Sequence, residues 1–252
     1  MSTIARRALP PLALGAVVIL LWQVLVVALD INAYVLPSPA AILTQVTSYA
    51  PILIGAAIVT GTNALIGLVV GTVLGIVLAL VAVSSRVFDE LTGPLVAALA
   101  VIPIVALAPV LYTMYGADVQ LARQVVAGVS VFVPVFINTL RGLRQTTPVH
   151  RDLMRAYAAG RWQMMRTLTL PTARPFIFTG VRIASSLSVI AALVAEYFGG
   201  PRGGLGTFIT SSVSQSDYAR AWSYVVASIL LGLIFYVVAL GIEVFALRHQ
   251  RT

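Results

Sequence analysis

Long uncharged apolar stretches alternate along the chain with short polar segments that carry most of the charged residues. A helix that spans a membrane needs about 20 largely apolar residues, and six stretches meet this requirement. The pattern therefore predicts an all-α membrane protein with a single transmembrane domain over residues 1–252 and a long polar loop at residues 141–175. The predicted spans lie at about residues 9–29, 51–83, 94–115, 119–140, 176–198 and 221–247.

Glycine and proline mark special positions in two of these spans. Gly67, Gly71 and Gly75 recur every four residues in the second span, which leaves one face of the helix without side chains. We expect that face to pack closely against another helix. Pro103 and Pro109 lie inside the third span, where a proline frees a carbonyl group and bends the helix. Such a bend could line a solute pathway, or it could be a structural kink.

Composition supports a membrane protein rather than a soluble one. Apolar residues make up 60% of the chain and charged residues only 10%, whereas soluble domains carry about a quarter charged residues. The chain has no cysteine, which excludes disulfides, thiolate metal sites and redox motifs. The net charge of +8 comes from arginine alone. Because the arginines lie between apolar spans, they indicate membrane topology rather than binding of nucleic acid.

The positions of the arginines predict which side of the membrane each loop occupies. Six spans place both termini on one side, and twelve of the sixteen arginines then lie on that side. Excess positive charge marks the cytoplasm, so we expect both termini and residues 141–175 to be cytoplasmic. The arginines on this side are Arg6, Arg7, Arg86, Arg141, Arg144, Arg151, Arg155, Arg161, Arg166, Arg174, Arg248 and Arg251, whereas Arg123, Arg202 and Arg220 lie opposite.

A few polar residues fall inside the predicted spans, where an unpaired charge is costly. Arg182 and Glu243 lie near the cytoplasmic ends of the fifth and sixth spans, where they could pair or extend to the interface. Glu196 lies towards the external end of the fifth span, where it could line an external gate or sit at the interface. Ser185 and Ser186 could contact a passing solute, but we favour hydrogen bonding of their hydroxyls to the helix backbone.

The sequence contains no recognisable enzymatic centre. A Walker A motif requires lysine, and the chain has none, so any ATP chemistry must belong to another subunit. His150 and His249 are far apart, and no further ligands of suitable spacing accompany them, so no metal site is predicted. The segment GGPRGGLG at residues 199–206 does not follow a strand, and we expect a turn or a re-entrant element there rather than a phosphate cradle.

The cytoplasmic segment Asp152–Pro175 differs from an ordinary connection between spans. Helix-forming residues run to Leu170 without a proline, which predicts one or two short helices that Pro171 and Pro175 stop and redirect. Large apolar residues alternate with arginines, so the loop exposes aromatic and thioether groups beside cationic ones. A structured loop with such a surface predicts docking to another protein.

This segment resembles the EAA loop of the membrane subunits of ABC importers. In that signature an acidic residue and two alanines are followed, after three residues, by glycine, and leucine and proline close the motif thirteen residues after the glycine. Counting back from Pro171 puts Asp152 on the acidic position, Leu153 and Met154 on the alanines, and Ala158 on the glycine. The run YAAGRWQMMRTLTLP is similar to the nitrate/sulfonate/taurine-type subfamily, and the resemblance extends from LPSPAAIL to GGPRGGLG.

The resemblance implies a type I ABC importer permease fold with six transmembrane helices. It implies two such subunits, identical or different, that form one pathway in the bacterial inner membrane. Two cytoplasmic ATPases would bind ATP and magnesium, so this chain would hold no cofactor. An extracytoplasmic binding protein would deliver a small polar solute, such as an oxyanion, a sulfonate or a vitamin-like heterocycle. The alternative is an ion-coupled secondary carrier, for which the spans offer few carboxylates.

The resemblance also assigns expected roles to individual residues. The residues expected to couple to the ATPase are Asp152, Leu153, Met154, Arg155, Tyr157, Ala158, Ala159, Gly160, Leu170 and Pro171. The candidate pathway residues are Pro103, Ser185, Ser186 and Glu196.

Overall fold

The computed structural model describes residues 3–116, 119–201 and 203–248 of the chain. Within these residues the regular secondary structure is helical, without a β-strand. A π-helical turn, Met165–Thr169, joins the eighth helix to the ninth. The helices are α1 (Thr3–Ala28), α2 (Pro39–Ser48), α3 (Ala50–Ser84), α4 (Arg86–Val101), α5 (Ile104–Tyr115), α6 (Leu121–Leu143), α7 (Pro148–Ala156), α8 (Arg161–Met164), α9 (Leu170–Tyr197), α10 (Leu205–Ser214) and α11 (Tyr218–Leu247).

Five helical segments are each long and apolar enough to cross a membrane. The helices α4 and α5 meet the same criterion only when they are taken together as one broken span. The predicted all-α membrane fold is therefore confirmed, with five single spanning helices and one broken span. The single spans are Leu9–Ala28, Ala50–Ser84, Leu121–Leu143, Arg161–Tyr197 and Tyr218–Leu247.

The third span differs from the expected kinked helix over residues 94–115. Helix α4 begins at Arg86, eight residues before the predicted start of this span, and includes the charged residues that precede it. Ile102 is extended, with φ −60° and ψ 122°, because the ring of Pro103 crowds a helical conformation of the residue before it. The axes of α4 and α5 consequently differ by 99°. Pro103 thus separates two helices instead of bending one.

The two prolines at the end of the predicted cytoplasmic loop do not stop a helix, so that prediction was wrong. Pro171 and Pro175 lie inside one continuous helix, Arg161–Tyr197. Just before Pro171 the helix widens into the π turn, where the Leu170 amide donates a hydrogen bond to the Met165 carbonyl, five residues earlier. In an α-helix the proline ring would clash with the carbonyl group four residues earlier. The extra residue of the π turn moves that carbonyl group away from the ring, so the helix continues.

Helix α6 lies at the centre of the bundle, between α3 and α9. The glycine stripe of α3 faces α6. A Cβ atom added to Gly71 would come within 2.5 Å of the Gly128 carbonyl oxygen, and one added to Gly75 would lie 3.0 Å from Val135 Cγ1. Gly67 is buried on the same face. The predicted close packing at these glycines is confirmed.

Helix α1 contacts the remaining helices through its external end. The ring of Trp22 meets that of Trp222 edge to face, with 5.7 Å between ring centroids. The side-chain oxygen of Gln23 accepts a hydrogen bond of 3.0 Å from the Ala40 amide at the start of α2. Helix α2 is a short helix after the first span, and the Ser38 side chain caps its start.

Candidate functional site

Helix α7 forms the first part of the candidate coupling loop, and a local cap sets its start. Thr147 is extended, and its hydroxyl accepts a hydrogen bond from the His150 amide, while Pro148 occupies the first helical position. The helix therefore begins before Asp152, where the sequence analysis began it. The second predicted helix is α8, which is the first turn of the long helix Arg161–Tyr197.

Helix α7 ends at the residue that corresponds to the glycine of the EAA signature. Ala158 is left-handed, with φ +52°. Its amide donates a hydrogen bond to the Arg155 carbonyl (2.8 Å), and the Ala159 amide donates one to the Met154 carbonyl (3.0 Å). These two bonds form a Schellman helix end. Gly160, in contrast, has φ −68°, so the left-handed position belongs to Ala158 and not to the nearby glycine.

The outer face of α7 is apolar although it lies beyond the spans. Val149, Leu153 and Tyr157 recur at four-residue spacing and share one side of the helix. They are 74%, 53% and 78% exposed, and the neighbouring Trp162 is 76% exposed. We call these four side chains the docking face. Large exposed apolar side chains grouped outside the apolar spans indicate a site that another protein covers.

The other predicted coupling residues lie between Asp152 and Pro171 and differ in exposure. Asp152 and Arg155 form an exposed ion pair at 3.2 Å. Leu170 packs on the buried cluster at the cytoplasmic ends of α3 and α6, which connects the loop to the bundle. The half-buried members of the predicted set are Met154, Ala159, Leu170 and Pro171.

Glu196 is fully buried at the external ends of the helices. Its carboxylate accepts hydrogen bonds from the Thr60 hydroxyl (2.8 Å) and from the Gly206 amide (3.0 Å). It also lies 3.5 Å from the guanidinium of Arg123, and neither charged side chain has exposed surface. Glu196 therefore links α3, α6, α9 and α10 in the protein interior.

Arg123 is the partner that the sequence analysis missed, since it was assigned to an external flank. The structure buries it completely. Its guanidinium also donates hydrogen bonds to the Gln120 side chain (3.0 Å) and to the Pro201 carbonyl. A signal was available in the sequence: Arg123 and Glu196 are lone opposite charges at the external ends of two spans, and buried charges occur in pairs.

The glycine-rich segment after α9 forms the turn that the sequence analysis expected. Gly200 and Gly203 have φ values of +94° and +117°, which disfavour any other residue type. Gly204 lies against the Glu196 carboxylate, where a Cβ atom would not fit. Arg202 lies outside the described residues. The turn brings α10 back onto the buried Arg123–Glu196 pair.

The other pathway candidates lie at different places in the fold. The Ser185 hydroxyl donates a hydrogen bond to the Arg182 carbonyl at 2.7 Å, within α9, as the backbone interpretation expected. Ser186 is half-buried, and Pro103 lies in the break between α4 and α5. Ser185 and Glu196 share α9 but are about 16 Å apart along its axis. A pathway role for these residues stays a prediction.

The two charges near the cytoplasmic ends of the last spans form a pair. The Arg182 guanidinium lies 3.2 Å from the Glu243 carboxylate, across α9 and α11. This confirms the pairing that the sequence analysis considered. Among the described residues, no group of histidine, aspartate and glutamate side chains could hold a metal ion. His249 and Arg251 lie outside those residues.

Comparison with known proteins adds family information to this geometry. A family profile described as binding-protein-dependent transport system inner membrane component matches residues 71–246. The chain is 33% identical over 250 residues to the riboflavin transport system permease protein RibX of Chloroflexus aurantiacus, covering 96% of this chain and 91% of the relative. It is 25% identical over 223 residues to the putative aliphatic sulfonates transport permease protein SsuC of Bacillus subtilis, covering 88% and 80%.

A solved structure supports the helical arrangement. The chain superimposes on a chain of the crystal structure of an amino acid ABC transporter with histidines, with a TM-score of 0.63. The alignment covers 83% of this chain and 98% of that chain, at 16% sequence identity. At this identity the likeness concerns the fold alone.

Proposed function

Because this chain belongs to the family of binding-protein-dependent transport system inner membrane components, we propose that its α7–α8 loop couples it to a separate ATPase. The chain is a membrane-spanning permease subunit of an ABC importer, and its relatives are ABC transporter permeases. The resemblance stated from the sequence is thereby confirmed at the level of the family. No observation favours the alternative of an ion-coupled carrier.

The proposal includes the partners that such a permease requires. ATP and magnesium bind to two separate ATPase subunits in this proposal. They do not bind to this chain, because it has no lysine for a Walker A motif. A second permease subunit, identical or different, completes the pathway. An extracytoplasmic binding protein delivers a small polar solute, and the assembly lies in the bacterial inner membrane.

The docking face is the observation that carries this proposal. It presents aromatic and aliphatic side chains from α7 and from the first turn of the long helix that follows, with Tyr157 and Trp162 as its largest members. Aromatic side chains of this kind dominate the binding energy of protein interfaces. A groove on a cytoplasmic ATPase that accepts one amphipathic helix would cover them.

The long helix behind the docking face supplies a way to transmit movement. Arg161–Tyr197 begins beside Trp162 and ends beside the buried pair of Arg123 and Glu196. At 1.5 Å per residue it is about 55 Å long. We infer that closure of the two ATPases displaces α7, and that this helix carries the displacement across the membrane as a rigid element.

A substitution in the docking face tests the coupling. Tyr157→Asp places a charge where the ATPase groove is apolar, and we expect uptake and solute-stimulated ATP hydrolysis to fall at least tenfold. The permease should still insert into the membrane. The matched control is Tyr34→Asp, because Tyr34 is 64% exposed at the opposite end of the molecule. Uptake and stimulated hydrolysis at the unmodified rate in Tyr157→Asp would show that the docking assignment is wrong.

A further inference from the structure

A cationic cavity lies beneath the loop, on its membrane side. It has a volume of about 660 Å³ and is bounded by the end of α3, the start of α4, the end of α6, and α7 and α8. Five arginines line it together with one carboxylate. They are Arg86, Arg144, Arg151, Arg155, Arg161 and Asp89.

The cavity and the docking face use opposite sides of α7. Arg151 lies two residues from both Val149 and Leu153, and each residue turns an α-helix by about 100°. The Arg151 side chain therefore projects about 200° away from that of Val149. An ATPase bound to the docking face would therefore cover the side of α7 that lies opposite the cavity.

The carboxylates of the region do not neutralise all the arginines. Asp89 pairs with Arg144, Glu90 pairs with Arg86, and Asp152 pairs with Arg155. Arg151 donates a hydrogen bond of 2.7 Å to the hydroxyl of the buried Thr146. Within the described part of the chain, no carboxylate pairs with Arg151 or with Arg161. Two positive charges thus remain available at the wall of one cavity.

We propose that this cavity binds a phosphate group, supplied by the head group of an anionic lipid or by a free phosphate anion. Guanidinium groups match the geometry of phosphate oxygens with paired hydrogen bonds. Basic pockets at the cytoplasmic ends of spanning helices are suited to anionic head groups. The excess of cytoplasmic arginine explains how many arginines the loops carry, but not why two unpaired ones share a cavity.

A bound phosphate would join α7 to the ends of α3 and α6. Arg151 approaches it from the loop, and Arg161 approaches it from the start of the long helix. The loop would then move with the bundle more rigidly when the ligand is present. The stiffening of the loop rests on the proposed coupling function, whereas phosphate binding to the cavity does not. Binding is therefore measured without ATP.

The experiment uses the complete transporter, purified in a neutral detergent. It is titrated with dioctanoyl phosphatidylglycerol, with dioctanoyl phosphatidylcholine and with inorganic phosphate at constant ionic strength, and bound ligand is counted by native mass spectrometry and equilibrium dialysis. The test variant is Arg151→Gln with Arg161→Gln. The control variant is Arg166→Gln with Arg174→Gln, which removes the same charge from exposed positions of the same segment that do not line the cavity.

We expect the test variant to bind phosphatidylglycerol or phosphate about thirtyfold more weakly, because each basic residue near a head group contributes about a fivefold gain in affinity. The control variant should bind within about twofold of the unmodified protein. Binding of phosphatidylglycerol without free phosphate identifies the lipid as the source, and binding of phosphate identifies the free anion. Absence of binding by the unmodified transporter, or equal weakening in both variants, would overturn the proposal.

A single substitution keeps the proposal testable if the double variant does not assemble. Arg161 has no carboxylate partner among the described residues, so Arg161→Gln breaks no ion pair. It should weaken binding about fivefold, and unchanged binding would count against the site. Tyr157→Asp should leave binding unaltered. If that variant also transports normally, the coupling proposal fails while the phosphate site stands.

Discussion

Ala158 occupies a backbone conformation that costs an alanine free energy. Its left-handed φ of +52° brings Cβ close to neighbouring backbone, a contact that glycine avoids. The position is nevertheless the one where the EAA signature carries glycine. Counting residues back from Pro171 placed the glycine position of the signature at Ala158. The sequence alone could equally have suggested Gly160, since only the two hydrogen bonds of the helix end show that the left-handed residue is Ala158.

The first residue-scale prediction concerns this helix end. Ala158→Gly should stabilise the end of α7 by about 0.5–1 kcal/mol, which is about a two- to fivefold increase in hydrogen-exchange protection of the α7 amides. Ala156→Gly is the matched control. Ala156 lies inside α7, where the same change costs about 1 kcal/mol and should lower protection. Equal changes in both variants would contradict the assignment of Ala158 as the left-handed cap.

The second residue-scale prediction concerns the buried pair. Glu196→Gln leaves the Arg123 charge buried without its counter-ion, so we expect a loss of about 3–5 kcal/mol in the free energy of unfolding, measured by denaturant titration in detergent. Glu90→Gln is the control, because Glu90 pairs with Arg86 on an exposed surface, and we expect no measurable change. Unaltered stability of Glu196→Gln with loss of transport would instead indicate a direct role in the pathway.

At the scale of elements, the prolines show what a single sequence leaves undetermined. Pro103 separates α4 from α5, whereas Pro109 and Pro134 remain inside helices. Pro171 is accommodated by a π turn. The local effect of proline is the same in each case, since it removes one donor and crowds one carbonyl. Whether a helix ends at the proline or continues past it depends on the tertiary contacts around it. A single sequence does not show those contacts.

The glycine stripe was easier to predict, because its physical requirement is local. Three glycines at four-residue spacing leave one helix face bare whatever the partner is, and α6 proves to be the partner. The length of α3 was likewise visible as an uncharged run. What the sequence did not reveal was the identity of the neighbouring helix.

The element-scale prediction uses this close approach. Gly71→Ala would force a Cβ atom to within 2.5 Å of the Gly128 carbonyl oxygen, and overpacking of this kind costs about 1–3 kcal/mol. We expect that loss in the free energy of unfolding of the purified permease. Gly55→Ala, in the same helix, meets no atom within 4 Å and should not destabilise the protein. Equal stability of the two variants would contradict the observed α3–α6 contact.

At the scale of the whole molecule, the structure connects two regions that the sequence analysis treated separately. The helix Arg161–Tyr197 starts at the docking face and ends at the buried pair. The sequence analysis ended the loop at Pro175 and began the next span at residue 176. It therefore missed that the part of the loop from Arg161 onward and the span are one helix, because the π turn before Pro171 has no local signature that distinguishes it from a helix stop.

A small number of residues in the sequence was enough to predict the membrane spans and the family. Uncharged runs located the spans, and the arginines indicated the cytoplasmic side. The spacing from Asp152 to Pro171 indicated the importer family, which the comparisons confirm. The cationic cavity could not be predicted, because it combines residues far apart in the chain. The Arg123–Glu196 pair was missed, although two lone opposite charges at the external ends of spans were a signal for it.

The central claim is that the docking face of α7 contacts an ATPase inside the cell, and site-directed crosslinking tests it most directly. The chain has no cysteine, so Leu153→Cys provides a single reactive thiol in the docking face, and Tyr34→Cys provides an exposed control at the other end. The account predicts that Leu153→Cys forms a crosslinked product with the ATPase subunit in the assembled transporter and that Tyr34→Cys does not. Labelling of Leu153→Cys by a membrane-impermeant reagent at the outer surface of intact cells, without an ATPase product, would contradict it.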